Sequence, residues 1–281
     1  MKNLLTLSLF TGFLCLSSAV FGQGDSFKTV TFDSLDGLKV TADLYQPGQD
    51  ASRPMIVLCH QAGWSRGEYR EIAPKLNTMG FNCLAIDQRS GKAVNNVENA
   101  TAAAATSAGK DTGYVSAEQD MVAAINHVRE AGMAEGKVIL WGSSYSSALA
   151  LRIAGQQPEL IDGVLSFAPG EYFGSFQKPS DWIASSAKNI AVPAFVTSAK
   201  DEYRNWSAIF DAIDQESKVK FLPSSKGNHG SRALWQRFDD NQSYWDAVTP
   251  FLQQFLNDGT ETTDGSGDKE GSGSGSGSKK N

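Results

Sequence analysis

The sequence predicts an α/β fold built on a mostly parallel sheet with helices on both faces. Three observations carry that expectation. A β-hairpin opens the chain, because Lys28–Phe32 and Leu38–Tyr45 alternate in strand fashion around the turn pair Asp36-Gly37. Short continuous apolar runs follow, such as Pro54–Cys59, as expected of strands buried on both faces. Those runs then alternate with segments of helical period, the pattern of repeated strand–helix units.

The elements follow in order. Pro47 and Gly48 close the hairpin unit. Tyr69–Met79 fits a helix stopped by Gly80, and Phe81–Ile86 is a second buried strand. Gln88–Tyr114 is small and polar with four consecutive alanines, and reads as one long loop. Ala117–Glu130 is a helix with Met121, Val122, Ile125 and Val128 along one side. Lys137–Trp141, Ile161–Phe167, Val192–Thr197 and Lys218–Leu222 are strands. Ser146–Gln156 and Asn205–Ile213 are helices, and Ser231–Leu256 is one long or broken helix.

The chain has 281 residues, 41% hydrophobic and 20% charged, which excludes a mainly disordered or collagen-like protein. A formal net charge of −6 offers no basic field for nucleic acid. Residues 1–22 have the form of a secretory signal: Lys2, an apolar stretch from Leu4 to Leu16, then small residues around Ala19 and Gly22. That stretch is too short for a spanning helix. The expectation is therefore a secreted or periplasmic protein with no stable membrane insertion after cleavage. Residues 258–281 have the Gly/Ser composition of a flexible tail. This leaves 23–257 as one domain. Its two cysteines, Cys59 and Cys83, fall inside separate apolar runs and are expected to be buried free thiols.

In open parallel sheets ligands bind beyond the carboxyl ends of the strands, so the chemistry is sought there. After Lys137–Trp141 comes Gly142-Ser143-Ser144-Tyr145-Ser146, leading into a helix. This strand–turn–helix placement fits the nucleophile elbow G-x-S-x-G, with Ser146 in place of the last glycine. A serine nucleophile needs a base. Of three histidines only His229 follows Ser144, as the elbow order Ser, acid, His requires. The acid must lie between them. Asp201, a few residues beyond the strand Val192–Thr197, is the best placed, and Glu171 is a reserve. Glu202 is expected to point elsewhere if Asp201 points in. The oxyanion donors are expected to be the backbone N–H of Tyr145 and one from the loop His60-Gln61-Ala62-Gly63-Trp64, with Ala62 favoured and Gln61 next. His60 then shapes its loop.

Taken together, the hairpin, the His60–Gly63 loop, the strand ending Ala85-Ile86-Asp87-Gln88-Arg89, the elbow at Ser144, Asp201 and His229 resemble the α/β-hydrolase superfamily, and within it the compact dienelactone-hydrolase-like group. The resemblance spans essentially the whole domain. It implies a three-layer α/β-hydrolase fold and ester hydrolysis through an acyl-enzyme without a cofactor. Dienelactone hydrolases carry a cysteine where this chain has Ser144, so lactone specificity does not transfer.

No large insertion follows Ile161–Phe167, so the site is expected to be uncapped. Trp64, Tyr172, Phe173 and Trp182 are candidate pocket walls. The expected substrate is a small-molecule or polysaccharide-linked ester. Peptidase or thioesterase chemistry would use the same residues, and a non-catalytic binding protein could share the fold. No H-E-x-x-H or paired Cys-x-x-Cys spacing suggests a metal.

Overall fold

The opening hairpin forms as the alternation requires. Strands β1 (Lys28–Asp33) and β2 (Lys39–Tyr45) pair antiparallel, with Lys28 opposite Leu44 and Asp33 opposite Lys39. The structure is a computed structural model that describes residues 27–256 apart from residue 215. The expected signal segment and the Gly/Ser tail lie outside the described residues.

The chain continues through β3 (Met55–Cys59), α1 (Ile72–Thr78), β4 (Asn82–Ile86), β5 (Ala93–Val94), β6 (Val97–Glu98), α2 (Ala100–Ser107) and α3 (Glu118–Glu130). It then runs through β7 (Val138–Ser143), α4 (Tyr145–Gln156), β8 (Gly163–Phe167), α5 (Trp182–Ala187), β9 (Ala194–Thr197), α6 (Ser207–Ala212), β10 (Lys218–Phe221) and α7 (Asn241–Gln253). The main sheet has eight strands in the order β1-β2-β4-β3-β7-β8-β9-β10. The pairs β1–β2 and β2–β4 are antiparallel and the rest are parallel.

Period-two alternation sorts the strand side chains between two cores. On one face Val57, Leu140 and Val164 pack with Met121 and Ile125 of α3 and Leu149 and Ile153 of α4. On the other, Ile56, Leu58 and Leu165 pack with Ile72 and Leu76 of α1 and Trp245 and Leu252 of α7. The result is three layers. Cys59 belongs to the first core and Cys83 to the second, and both are free. Among the described residues no helix is long and apolar enough to cross a membrane.

Two elements differ from the sequence expectation. The helix expected at Tyr69–Met79 is a 3-10 turn at Arg66–Tyr69 followed by α1. Pro74 lacks an N–H and fits only a first turn, so the helix starts at Ile72. The expected loop Gln88–Tyr114 contains the β5–β6 hairpin and α2. Asn99 caps α2, its Oδ1 accepting the Ala102 N–H at 2.7 Å, and the alanine run then supplies strong helix formers. The segment Ser231–Leu256 takes the broken form, a 3-10 turn at Ser231–Leu234 and then α7 from Asn241.

At one border of the sheet β10 presents Lys218 and Lys220. Lys218 Nζ sits 5.0 Å from the Phe210 ring and Lys220 Nζ 4.8 Å from the Tyr203 ring.

Candidate active site

Strand β7 passes into α4 through a single residue, Ser144, held at φ 59° and ψ −122°. A non-glycine residue in that region stores roughly 1–3 kcal/mol of strain. The turn is sharp because strand and helix nearly touch. A Cβ at Gly142 would stand 2.3 Å from the Ser146 carbonyl oxygen and 2.4 Å from Ser147 Cα. Ser146, which replaces the usual glycine, is accommodated. Its hydroxyl donates to the Cys59 carbonyl at 2.8 Å and accepts the Ser143 N–H at 2.9 Å, tying the turn to β3.

Ser144 Oγ lies 2.8 Å from His229 Nε2. His229 stands on the loop after β10, where its carbonyl accepts Arg232 Nε–H at 3.1 Å. Its other ring nitrogen, Nδ1, lies 2.5 Å from Glu202 Oε1. The carboxylate bonded to His229 is therefore Glu202 and not the expected Asp201, which is exposed. The cause is local. Residues Lys200–Asn205 form a 3-10 turn after β9, and Glu202 folds back over its start so that Oε2 accepts the Ala199 N–H at 3.1 Å. That leaves Oε1 facing the histidine. The reserve acid Glu171 is also displaced. Both its oxygens accept the amides of Ile183 and Ala184 at 2.9–3.1 Å, capping the start of α5.

Tyr145 is the first residue of α4, so its N–H has no intrahelical acceptor. The Ala62 N–H makes no hydrogen bond among the described residues. The Gln61 N–H, by contrast, is taken by Glu68 Oε2 at 2.8 Å and is not free for an oxyanion. His60 is fully buried and shapes the loop: Nδ1–H donates to the Gln61 carbonyl at 2.8 Å, and Nε2 accepts the Gln88 N–H at 3.0 Å. Burial holds its pKa down to about 4, so it stays neutral.

The residues after β4 brace the same loop. Gln88 Oε1 accepts the His60 N–H, and Asp87 accepts the Arg66 and Ala100 amides. Asn99 Nδ2 donates to the Trp64 and Gln88 carbonyls, so α2 is fastened beside the oxyanion loop. A cavity of about 270 Å³ opens there, lined by Gly63, Ser90, Lys92, Thr106, Thr112 and Tyr114 among others. Tyr114 stacks on Tyr145 with centroids 4.4 Å apart.

The expected aromatic pocket is rearranged. Tyr172 is beside the nucleophile, its hydroxyl donating to the Ala168 carbonyl at 2.8 Å and interacting with Ser144. Phe173 is 1% exposed and belongs to the core, with Trp182 edge-on to it under the Arg152 guanidinium. Trp64 stacks on Trp235 at 5.3 Å. Glu202 and Tyr114 are thus the site residues missed by sequence reasoning. A glutamate three residues into a turn that follows a strand was the available signal for the first.

The strand order and the elbow are those of an α/β-hydrolase fold. Residues 50–201 match the family described as serine aminopeptidase, S33, and the chain belongs to that family. The matched segment includes Ser144 but stops before Glu202 and His229. No curated protein matches the sequence. Among solved structures the chain is similar to an esterase from Pyrococcus furiosus, at TM-score 0.62 and 15% identity, over 82% of this chain and 93% of that one. It is similar to a dienelactone hydrolase from Anabaena variabilis, at TM-score 0.61 and 15% identity, over 83% and 100%. It is also similar to an acylaminoacyl peptidase from Pyrococcus horikoshii, at TM-score 0.58 and 16% identity, over 85% of this chain and 43% of that one.

Proposed function

We propose that the protein is an exported serine esterase acting through an acyl-enzyme. The observation that carries this is the continuous chain Ser144 Oγ–His229 Nε2–Nδ1–Glu202, mounted on a strained elbow. His229 takes the Ser144 proton as Oγ attacks the ester carbonyl. Glu202 holds the ring's orientation and stabilises the imidazolium. The tetrahedral oxyanion is received by the amides of Tyr145 and Ala62. The carbonyl–oxygen bond to the alcohol breaks, and His229 returns the proton to the alcohol. Water, deprotonated by His229, then attacks the acyl-serine, and Ser144 leaves with that proton.

An ester is favoured over a peptide with a free α-ammonium group because the carboxylates around the site are already engaged. Glu202 is bound to His229, Glu171 to the α5 amides, and Glu68 to Gln61 and Ser143. The 270 Å³ cavity beside Gly63 suits a short acyl or alcohol group. Export rests on the composition of residues 1–22, and it makes esters on extracellular glycans the natural substrates.

Intact mass after a fluorophosphonate probe tests the mechanism. A single adduct is expected on the wild type and none on Ser144→Ala. An unlabelled, folded wild type removes the reading. A panel of 4-nitrophenyl esters, aminoacyl anilides and acetylated glycans then ranks the substrates. Faster anilide than ester cleavage would replace the esterase with an aminopeptidase.

A further inference from the structure

Below the site lies a carboxylate that the proposed chemistry does not use. Glu68 sits in the 3-10 turn Arg66–Tyr69 and is fully buried. Its Oε2 accepts the Gln61 N–H at 2.8 Å, and its Oε1 accepts the Ser143 hydroxyl at 2.7 Å. Ser143 Oγ in turn accepts the Ser231 N–H at 2.9 Å. Each of these three partners adjoins a site residue: Gln61 precedes Ala62, Ser143 precedes Ser144, and Ser231 is two residues after His229. The space is closed, because a Cβ at Gly230 would stand 2.5 Å from Ser143 Oγ.

We propose that Glu68 is a positioning residue of this ester-cleaving site, its ionised carboxylate holding the oxyanion loop, the nucleophile turn and the histidine loop in register. The inference rests on the esterase reading and adds to it the residue that aligns its three parts.

The chemistry requires a carboxylate. Two oxygens, neither carrying a proton, accept two hydrogen bonds from two different segments. Ser143 can donate to Glu68 because its lone pairs are already serving Ser231. A protonated Glu68 would have to donate through one oxygen. The Ser143 hydrogen would then lose its acceptor in a buried place, and the link would loosen. Glu68 makes no ion pair among the described residues. The charged or titratable groups that face it are His229 and Arg232 from the histidine loop and its following turn, Cys59 from β3, Tyr145 from α4 and the adjacent Tyr69. Burial pushes the Glu68 carboxyl up to about 7, against the pull of the Ser143 and Gln61 hydrogen bonds and of His229 and Arg232. Its ionisation therefore falls within the pH range in which an esterase is assayed.

The test compares the wild type with Glu68→Gln on 4-nitrophenyl acetate between pH 5 and pH 9. The wild-type acid limb of kcat/KM is expected to contain a proton-linked step from Glu68. Glu68→Gln keeps the shape but cannot ionise, so its limb should lack that step. At pH 8.5 its kcat should fall about tenfold or more, the scale of a slightly misplaced oxyanion donor, with KM within about threefold of the wild type. Folding is checked by thermal melting. If Glu68→Gln does not fold, Ser143→Ala answers the same question: losing one hydrogen bond to the carboxylate should move the Glu68 step to higher pH. A folded variant with unchanged kcat and an unchanged acid limb overturns the proposal. A wild type that is folded yet neither labels with fluorophosphonate nor cleaves esters overturns the parent reading and this one together.

Discussion

Arg89 Nη2 lies 2.7 Å from Asp120 Oδ1, and both side chains are shut away from solvent, with Asp120 wholly buried. The same guanidinium reaches Asp36 in the β1–β2 turn at 2.9 Å, and Asp120 also accepts the Ser34 hydroxyl. One arginine thus joins the opening hairpin to α3. Removing it strands a buried carboxylate, which costs roughly 3–5 kcal/mol. Arg89→Met should lower the urea midpoint accordingly. Asp36→Asn, at a 31% exposed position, should cost about 1 kcal/mol or less.

The second prediction separates two neighbouring carboxylates. Glu202→Gln should lower kcat by about 10²–10⁴, because the imidazole loses its orienting anion. Asp201→Asn should stay within about twofold of the wild type. Steady-state kinetics on one ester decides the matter, and the opposite ranking would return the acid role to Asp201.

Two buried groups impose opposite pH slopes on stability. Glu68 has a folded pKa of about 7 against an ordinary 4.5, so its share of stability is full below 4.5 and is lost as pH rises toward 7. His60 has a folded pKa of about 4 against 6.5, so its share is full above 6.5 and is lost as pH falls toward 4. Each slope amounts to about 3 kcal/mol across its window. Glu68→Gln abolishes the first slope. Its stability relative to the wild type should therefore rise between pH 4.5 and pH 7, as read from urea midpoints at several pH values. A constant difference would contradict the raised Glu68 pKa.

Cys59 and Cys83 belong to cores on opposite faces of the sheet, and burial pushes both thiols up. Neither should react with a thiol reagent under native conditions. Both should react once the protein is unfolded, with no prior reduction needed.

The fold was legible because its strands are short, apolar and bounded by turn residues. Pro54–Cys59 and Phe81–Ile86 could hardly be anything else. Ser144 and His229 were legible from their order after particular strands. Glu202 was not, because the choice between Asp201 and Glu202 depends on a one-turn helix that folds one side chain inward and leaves the other in solvent. The role of Gln61 was obscured for a similar reason. Its amide looked available until Glu68, seven residues on, was brought beneath it by the Arg66–Tyr69 turn. α2 was missed because four small residues in a row carry no amphipathic period, although Asn99 marks its start.

The lysines of β10 bear on what happens when many copies of the chain meet. A border strand leaves one row of N–H and C=O groups unmatched, and such a row invites a further strand from another molecule. Here the invitation is withdrawn. Lys218 and Lys220 hold their ammonium groups over the Phe210 and Tyr203 rings, where an arriving strand would have to displace or desolvate them. Two charged side chains thus stand at the border of the sheet, one of them bonded to Tyr203, the neighbour of Glu202 in its turn.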